Sequence, residues 1–202
     1  MIKAVITVLG MGFHFTTDWF SPNIPLWQQH LSPYVDRPVQ ALEIGSWEGR
    51  SAVWLLENIL THPDSVLTCV DTFQGSAEHD ADLVGSLFER FQHNITLAQT
   101  PAKVIVHSLA AQDFFQTIPQ QRYDVIYVDG SHFSWDVLTE AIHCWPRLNL
   151  EGTLIFDDYL WEDIGLPYQQ PKVAIDAFLQ IFQDKLQVLA QDYQVVIRKR
   201  SE

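Results

Sequence analysis

The sequence predicts an α/β domain built on a doubly wound, mostly parallel seven-stranded sheet, with an antiparallel last strand and helices on both faces. Three observations carry that prediction. From Val39 onward, short β-rich apolar runs alternate with longer stretches of helical period, which gives crossover units and a parallel sheet. The strand runs are continuously apolar, as parallel strands buried on both faces require. The last two strands are too close in sequence for a parallel crossover, so they pair antiparallel.

In chain order, Val39–Ile44 (VQALEI) reads as a strand, Arg50–Leu60 as a helix and Val66–Asp71 (VLTCVD) as a strand. Asp80–Ala98 reads as a helix with Leu83, Leu87, Phe91 and Ile95 on one face. Lys103–His107 is the third strand, followed by a short helix over Ala110–Thr117. Asp124–Asp129 is the fourth strand, Ser134–Trp145 a helix, Thr153–Asp157 the fifth strand and Lys172–Asp184 a helix. Leu186–Ala190 and Gln194–Arg198 complete a Rossmann-like sheet. Residues 1–38 differ in character: they are aromatic-rich and punctuated by Pro22, Pro25, Pro33 and Pro38. They read as a cap or lid on a main domain spanning 39–202.

Composition bounds the partners. Twelve basic against 25 acidic residues give a formal charge of −13, which disfavours nucleic acid and anionic membranes as partners and keeps a protein soluble. Cys69 and Cys144 each sit in apolar runs and read as buried free thiols. Met1 to Phe15 is apolar with one lysine, too short to span a bilayer and without a small-residue cleavage site, so the expected location is the cytoplasm. Homo-oligomerisation stays open.

In an open α/β sheet, ligands bind beyond the carboxyl ends of the strands, near the switch in strand order. The first strand ends Glu43-Ile44-Gly45-Ser46-Trp47-Glu48-Gly49-Arg50-Ser51. Gly45 allows a tight turn, and Gly49 lets backbone approach a ligand at the helix start. A dinucleotide site needs a third glycine that this loop lacks, and Glu43 repels phosphate but suits an ammonium or sulfonium group. Asp71 ends the second strand, where a carboxylate can accept both hydroxyls of a ribose. Ser108, ending the third, is placed to meet an adenine edge. Domains that bind nothing also use such residues as a glycine turn, a helix cap and a turn acid.

The fourth and fifth strands end Asp129-Gly130-Ser131-His132 and Asp157-Asp158. Three carboxylates at one sheet edge raise one another's pKa, a penalty that a divalent cation removes. Oxygen donors without a partner cysteine favour Mg²⁺, Mn²⁺ or Ca²⁺ over zinc. His132, on the same loop, has the proton equilibrium a general base needs. Solvated helix caps are the plainer alternative for these acids.

Together these motifs resemble the class I S-adenosylmethionine-dependent methyltransferases, over roughly Val39 to the C-terminus. Glu43–Ser51, Asp71, Val128–His132 and Phe156–Tyr159 are similar to the metal-dependent O-methyltransferase group that includes macrocin and mycinamicin sugar O-methyltransferases. The resemblance implies S-adenosylmethionine as cofactor, with Glu43, Gly45, Ser46, Gly49, Ser51, Asp71 and Ser108 as its binding residues. It implies Mg²⁺ on Asp129, Asp157 and Asp158, His132 as catalytic base, and a hydroxylated small-molecule acceptor. Trp19, Phe20, Trp27, Phe133, Trp135, Tyr159 and Trp161 are candidates for walls or lid. Three rival readings remain: a cephalosporin-hydroxylase-like iron enzyme, which would need a second well-placed histidine; a nicotinamide dehydrogenase; and a non-catalytic domain that binds S-adenosylmethionine.

Overall fold

The computed structural model describes residues 12–75, 84–162 and 166–202. Seven strands form one sheet: β1 (Gln40–Ile44), β2 (Val66–Asp71), β3 (Lys103–Ser108), β4 (Tyr123–Val128), β5 (Leu148–Phe156), β6 (Leu186–Gln191) and β7 (Val195–Lys199). Their order is β3-β2-β1-β4-β5-β7-β6. The first five strands are parallel, and β7 runs antiparallel to both β5 and β6. The chain winds outward from β1 to β3 and then returns to place β4 against β1. The carboxyl ends of β1 and β4 therefore diverge at a switch point, which is where such sheets open a ligand crevice.

Side-chain alternation along the strands sorts the core into two layers. Leu42 and Ile44 of β1 and Ile126 and Val128 of β4 face one layer, covered by α4 (Ala111–Thr117), α5 (Ser134–Cys144) and α6 (Pro171–Ile181). Ala41 of β1 and Val125 and Tyr127 of β4 face the other, covered by α1 (Ile24–Leu31), α2 (Arg50–Asn58) and α3 (Leu87–Leu97). Cys69 and Cys144 are buried free thiols.

The N-terminal prolines start short helical pieces, since a residue lacking N–H fits the first helical turn. Pro25 opens α1, and Pro22 and Pro33 open the 3-10 turns Ser21–Asn23 and Ser32–Tyr34. Trp27 and Leu31 of α1 are fully buried in the same layer as Tyr127. The Trp27 ring meets Phe20 edge-on at 4.7 Å and Tyr127 at 4.8 Å. Burying such a side chain contributes roughly 1.5–3 kcal/mol, so this segment is an integral part of one core layer.

Two elements differ from the sequence reading. The fifth strand starts at Leu148, earlier than Thr153, because Leu148 pairs with Tyr123 ahead of a register shift. Glu151, at φ +62°, bends the chain there, so the polar Asn149 and Glu151 resemble a loop in sequence. The helix expected over Asp80–Ala98 occupies Leu87–Leu97, and its expected first turn falls in 76–83, outside the described residues. No helix among the described residues is long and apolar enough to cross a membrane.

Candidate active site

A cleft opens at the switch point, between the loop after β1 and the ends of β4 and β5, with Thr17, Trp19 and Phe20 along one rim. Backbones meet closely at its base. The Asp129 amide donates to the Ile44 carbonyl at 2.8 Å, and Gly45 donates to Val70 at 2.9 Å. A Cβ on Gly45 would lie 1.9 Å from the Asp129 carbonyl oxygen, and Gly45 has φ +82°. Glycine is required there on both counts.

The residues after β1 divide by direction. Gly45, Ser46 and Ser51 line the cleft; Glu43 and Gly49 are not among its lining residues. The fully buried Glu43 carboxylate accepts hydrogen bonds from Ser46 Oγ and Ser51 Oγ, each at 2.6 Å. Burial raises its pKa to about 7 against the opposing effect of the two hydroxyls. Glu43 thus ties the loop to the helix that follows. Gly49 takes φ +81° at the start of α2, and a Cβ there would sit 3.0 Å from the Phe91 ring. Asp71 accepts from the amides of Ser46 (2.7 Å), Trp47 (2.8 Å) and Phe73 (2.7 Å). Those bonds use three of the roughly four lone-pair sites of a carboxylate. Ser108 is exposed and sits beside Asp71 in the β2–β3 register, away from the cleft lining.

The acidic end is organised by a tyrosine that sequence reading missed. The Tyr127 hydroxyl lies 2.9 Å from Asp129 Oδ2 and also hydrogen-bonds Asp157 Oδ2. Strand alternation was the available signal, because Tyr127 and Asp129 are two residues apart and share a face. Burial, then the Asp157 and Asp158 charges, push the Asp129 carboxyl well above its usual range. Burial and Asp158 raise Asp157 to about 6. Asp158, at φ +57°, adds two partners to this edge: its Oδ1 accepts from the Tyr193 hydroxyl at 2.9 Å, and its Oδ2 lies 3.0 Å from His132 Nε2. The His132 ring stacks on Trp161 at 4.5 Å.

Among the described residues, no three His, Cys, Asp or Glu side chains already form a metal-binding group. The chemistry of the donor set nonetheless fits a hard cation, because buried oxygen donors that raise one another's proton affinity gain most from a nearby positive charge. Below this edge, the α5 residue Glu140 is buried with Oε2 unpartnered, and its Oε1 would lie 2.8 Å from a Cβ on Gly130. Burial raises its pKa to about 8.

The rim is fastened by Glu48, whose role the sequence reading also missed. Its buried carboxylate accepts from the Thr16 amide (2.7 Å), Thr16 Oγ1 (2.6 Å) and Arg90 Nε (2.7 Å). Asn94 Nδ2 donates to the carbonyls of Glu48 (2.8 Å) and His14 (3.0 Å). Arg50 Nε donates to the Thr17 carbonyl at 3.1 Å. Residues 14–17 are thereby strapped to the loop after β1.

A family model described as a methyltransferase domain matches residues 42–159, from β1 through the acidic end of the cleft. The chain belongs to the methyltransferase domain family. This S-adenosylmethionine-dependent methyltransferase shares its fold with several solved structures. The O-methyltransferase NovP is 20% identical, covering 90% of this chain and 79% of NovP, with a TM-score of 0.58. A structure from Clostridium thermocellum described as a candidate rRNA methylase is 14% identical over 88% of this chain and 96% of that one, with a TM-score of 0.65. MycE of the mycinamycin pathway, solved with Mg and SAH, is 13% identical over 93% of this chain, which spans 51% of MycE, with a TM-score of 0.59. No curated protein sequence matches the chain.

Proposed function

We propose that this methyltransferase moves the methyl group of S-adenosylmethionine to a hydroxyl oxygen of a small molecule, with a divalent cation at Asp129, Asp157 and Asp158 and with His132 as base. The observation that carries the reading is the joining of a buried, mutually repelling acid pair to the His132–Asp158 contact at one edge of the cleft. The presence of Mg and SAH in MycE supports the same choice of cation and donor. The charge of −13 favours a small acceptor over a polyanionic one.

S-adenosylmethionine supplies an electrophilic methyl group on a sulfonium sulfur, and S-adenosylhomocysteine is the product left after an in-line displacement. A hard divalent cation supplies Lewis acidity that lowers the pKa of an acceptor hydroxyl. The protein's own groups do the rest. His132 Nε2 lies 3.0 Å from Asp158 Oδ2, a contact that holds the imidazole at the acidic edge, where it takes the acceptor proton. Trp161 holds the ring plane by stacking. Gly45, Ser46 and Ser51 border the donor's methionine portion, and Asp71 offers its remaining lone-pair site to a ribose hydroxyl. Glu43, Gly49 and Ser108 support this arrangement, the first two by shaping the loop and Ser108 by flanking Asp71. Trp19 and Phe20, just beyond the strap, border the cleft along one rim, so positioning and exclusion of water supply much of the rate.

Calorimetric titration with S-adenosylhomocysteine, with Mg²⁺ or with EDTA, tests the reading, together with a screen of hydroxylated acceptors. Expected are micromolar binding that Asp71→Ala abolishes and a Mg²⁺ heat that is lost in Asp157→Asn. Methyl transfer that persists undiminished in EDTA would overturn the cation assignment.

A further inference from the structure

A buried hydrogen-bond chain leads from the N-terminal helix to the acid pair. Trp27 Nε1 donates to Gln194 Oε1 at 2.7 Å, and Gln194 Nε2 donates to Asp157 Oδ2 at 2.9 Å. Trp27 is fully buried and Gln194 is 1% exposed. Direction in this chain is fixed by chemistry. An indole N–H can only donate, so it holds the amide oxygen of Gln194 toward α1. The amide nitrogen must then face Asp157. A glutamine amide is free to flip in most settings, but here it has one orientation.

The consequence falls on Asp157. Its Oδ2 receives Gln194 and the Tyr127 hydroxyl, while its Oδ1 receives the Asp158 amide at 2.7 Å. Three donors on about four lone-pair sites leave a single site, on Oδ1, for a further partner. Without Gln194 the carboxylate loses one of the three donors that fix its orientation and keeps only the Tyr127 hydroxyl and the Asp158 amide. Gln194 lies in the turn between β6 and β7, directly before the reversed strand, so this hairpin and the N-terminal helix converge on one carboxylate.

We propose that Trp27 and Gln194 are positioning residues that orient the Asp157 carboxylate toward a bound divalent cation. The inference rests on the reading of Asp157 as a cation ligand. Removing such an outer partner typically weakens metal binding 10–100-fold.

Mn²⁺ binding, followed by electron paramagnetic resonance, tests it on the full chain, with S-adenosylhomocysteine affinity and thermal midpoint measured alongside. Gln194→Leu leaves the Trp27 N–H buried without a partner, so a loss of folding would confuse the result. The double variant Trp27→Phe/Gln194→Leu leaves no indole N–H buried without a partner, and the thermal midpoint reads the cost of the smaller ring in the core. The expected result is Mn²⁺ affinity about 10–100-fold weaker in the double variant, with S-adenosylhomocysteine affinity within about twofold of wild type. A purely structural pair would be rescued by the double substitution. Wild-type Mn²⁺ affinity in that variant would overturn the inference while leaving the cation reading intact. Absence of Mn²⁺ binding by the wild-type protein would overturn the cation reading, and the inference with it.

Discussion

Glu140→Gln is expected to stabilise this methyltransferase, and by more as the pH rises. The Glu140 carboxyl is 4% exposed, has an unpartnered Oε2 and lies near Asp136, whose charge adds to the effect of burial. Its folded pKa is raised from 4.5 to about 8. Between those values the folded protein keeps a proton that the unfolded chain has released, so stability falls as pH rises through this window and the full cost stands above it. At about 1.4 kcal/mol per pH unit, the ceiling is about 5 kcal/mol. Relaxation and water entry around a buried charge bring the expected gain at pH 9 to about 2–4 kcal/mol. For a domain of this size, 1 kcal/mol moves the melting midpoint by roughly 2–4 °C. The variant should therefore melt about 5–10 °C higher than wild type at pH 9, with a much smaller gap at pH 5. Differential scanning calorimetry of both proteins at both pH values measures this. Self-repulsion of the −13 net charge lowers both midpoints together and cancels in the comparison. The same gap at both pH values, or a less stable variant at pH 9, would refute the argument.

Three further outcomes follow from the geometry. Gly45→Ala should lower stability by more than about 3 kcal/mol and eliminate donor binding, since its Cβ meets the Asp129 carbonyl and its φ is strained; urea unfolding and calorimetry check this. His132→Gln should cut methyl transfer about 10²–10⁴-fold and leave S-adenosylhomocysteine affinity unchanged, as read by single-turnover assay and titration; an equal loss in both would move His132 from proton transfer to binding. Arg90→Ala strands the buried Glu48 carboxylate and should cost about 3–5 kcal/mol, seen as an earlier urea midpoint.

The sheet was legible in the sequence because parallel strands that are buried on both faces leave an unmistakable apolar run, as in VLTCVD and DVIYVD. The strand order, which puts β4 against β1 and so Gly45 beside Asp129, came from the structure. Boundaries failed where a strand carries polar residues through a bend, as at Asn149–Glu151. Within the site, charged residues at strand ends were conspicuous, whereas Tyr127, Gln194 and Trp27 resembled ordinary core or turn residues. Their importance lies in hydrogen bonds across large sequence separations, which no local pattern encodes. The direction of a side chain was equally hidden: Glu43 stands at the expected strand end, yet its carboxylate faces inward to two serines.

Glu48 belongs at once to the loop beside the donor's expected position and to the fastening of residues 14–17. Whatever free energy a seated strap adds to donor affinity, a bound donor returns in full to the seating of the strap. Were the seated strap to add to donor affinity, protease resistance near Thr16 and Thr17 would rise with cofactor occupancy, legible without any knowledge of the acceptor.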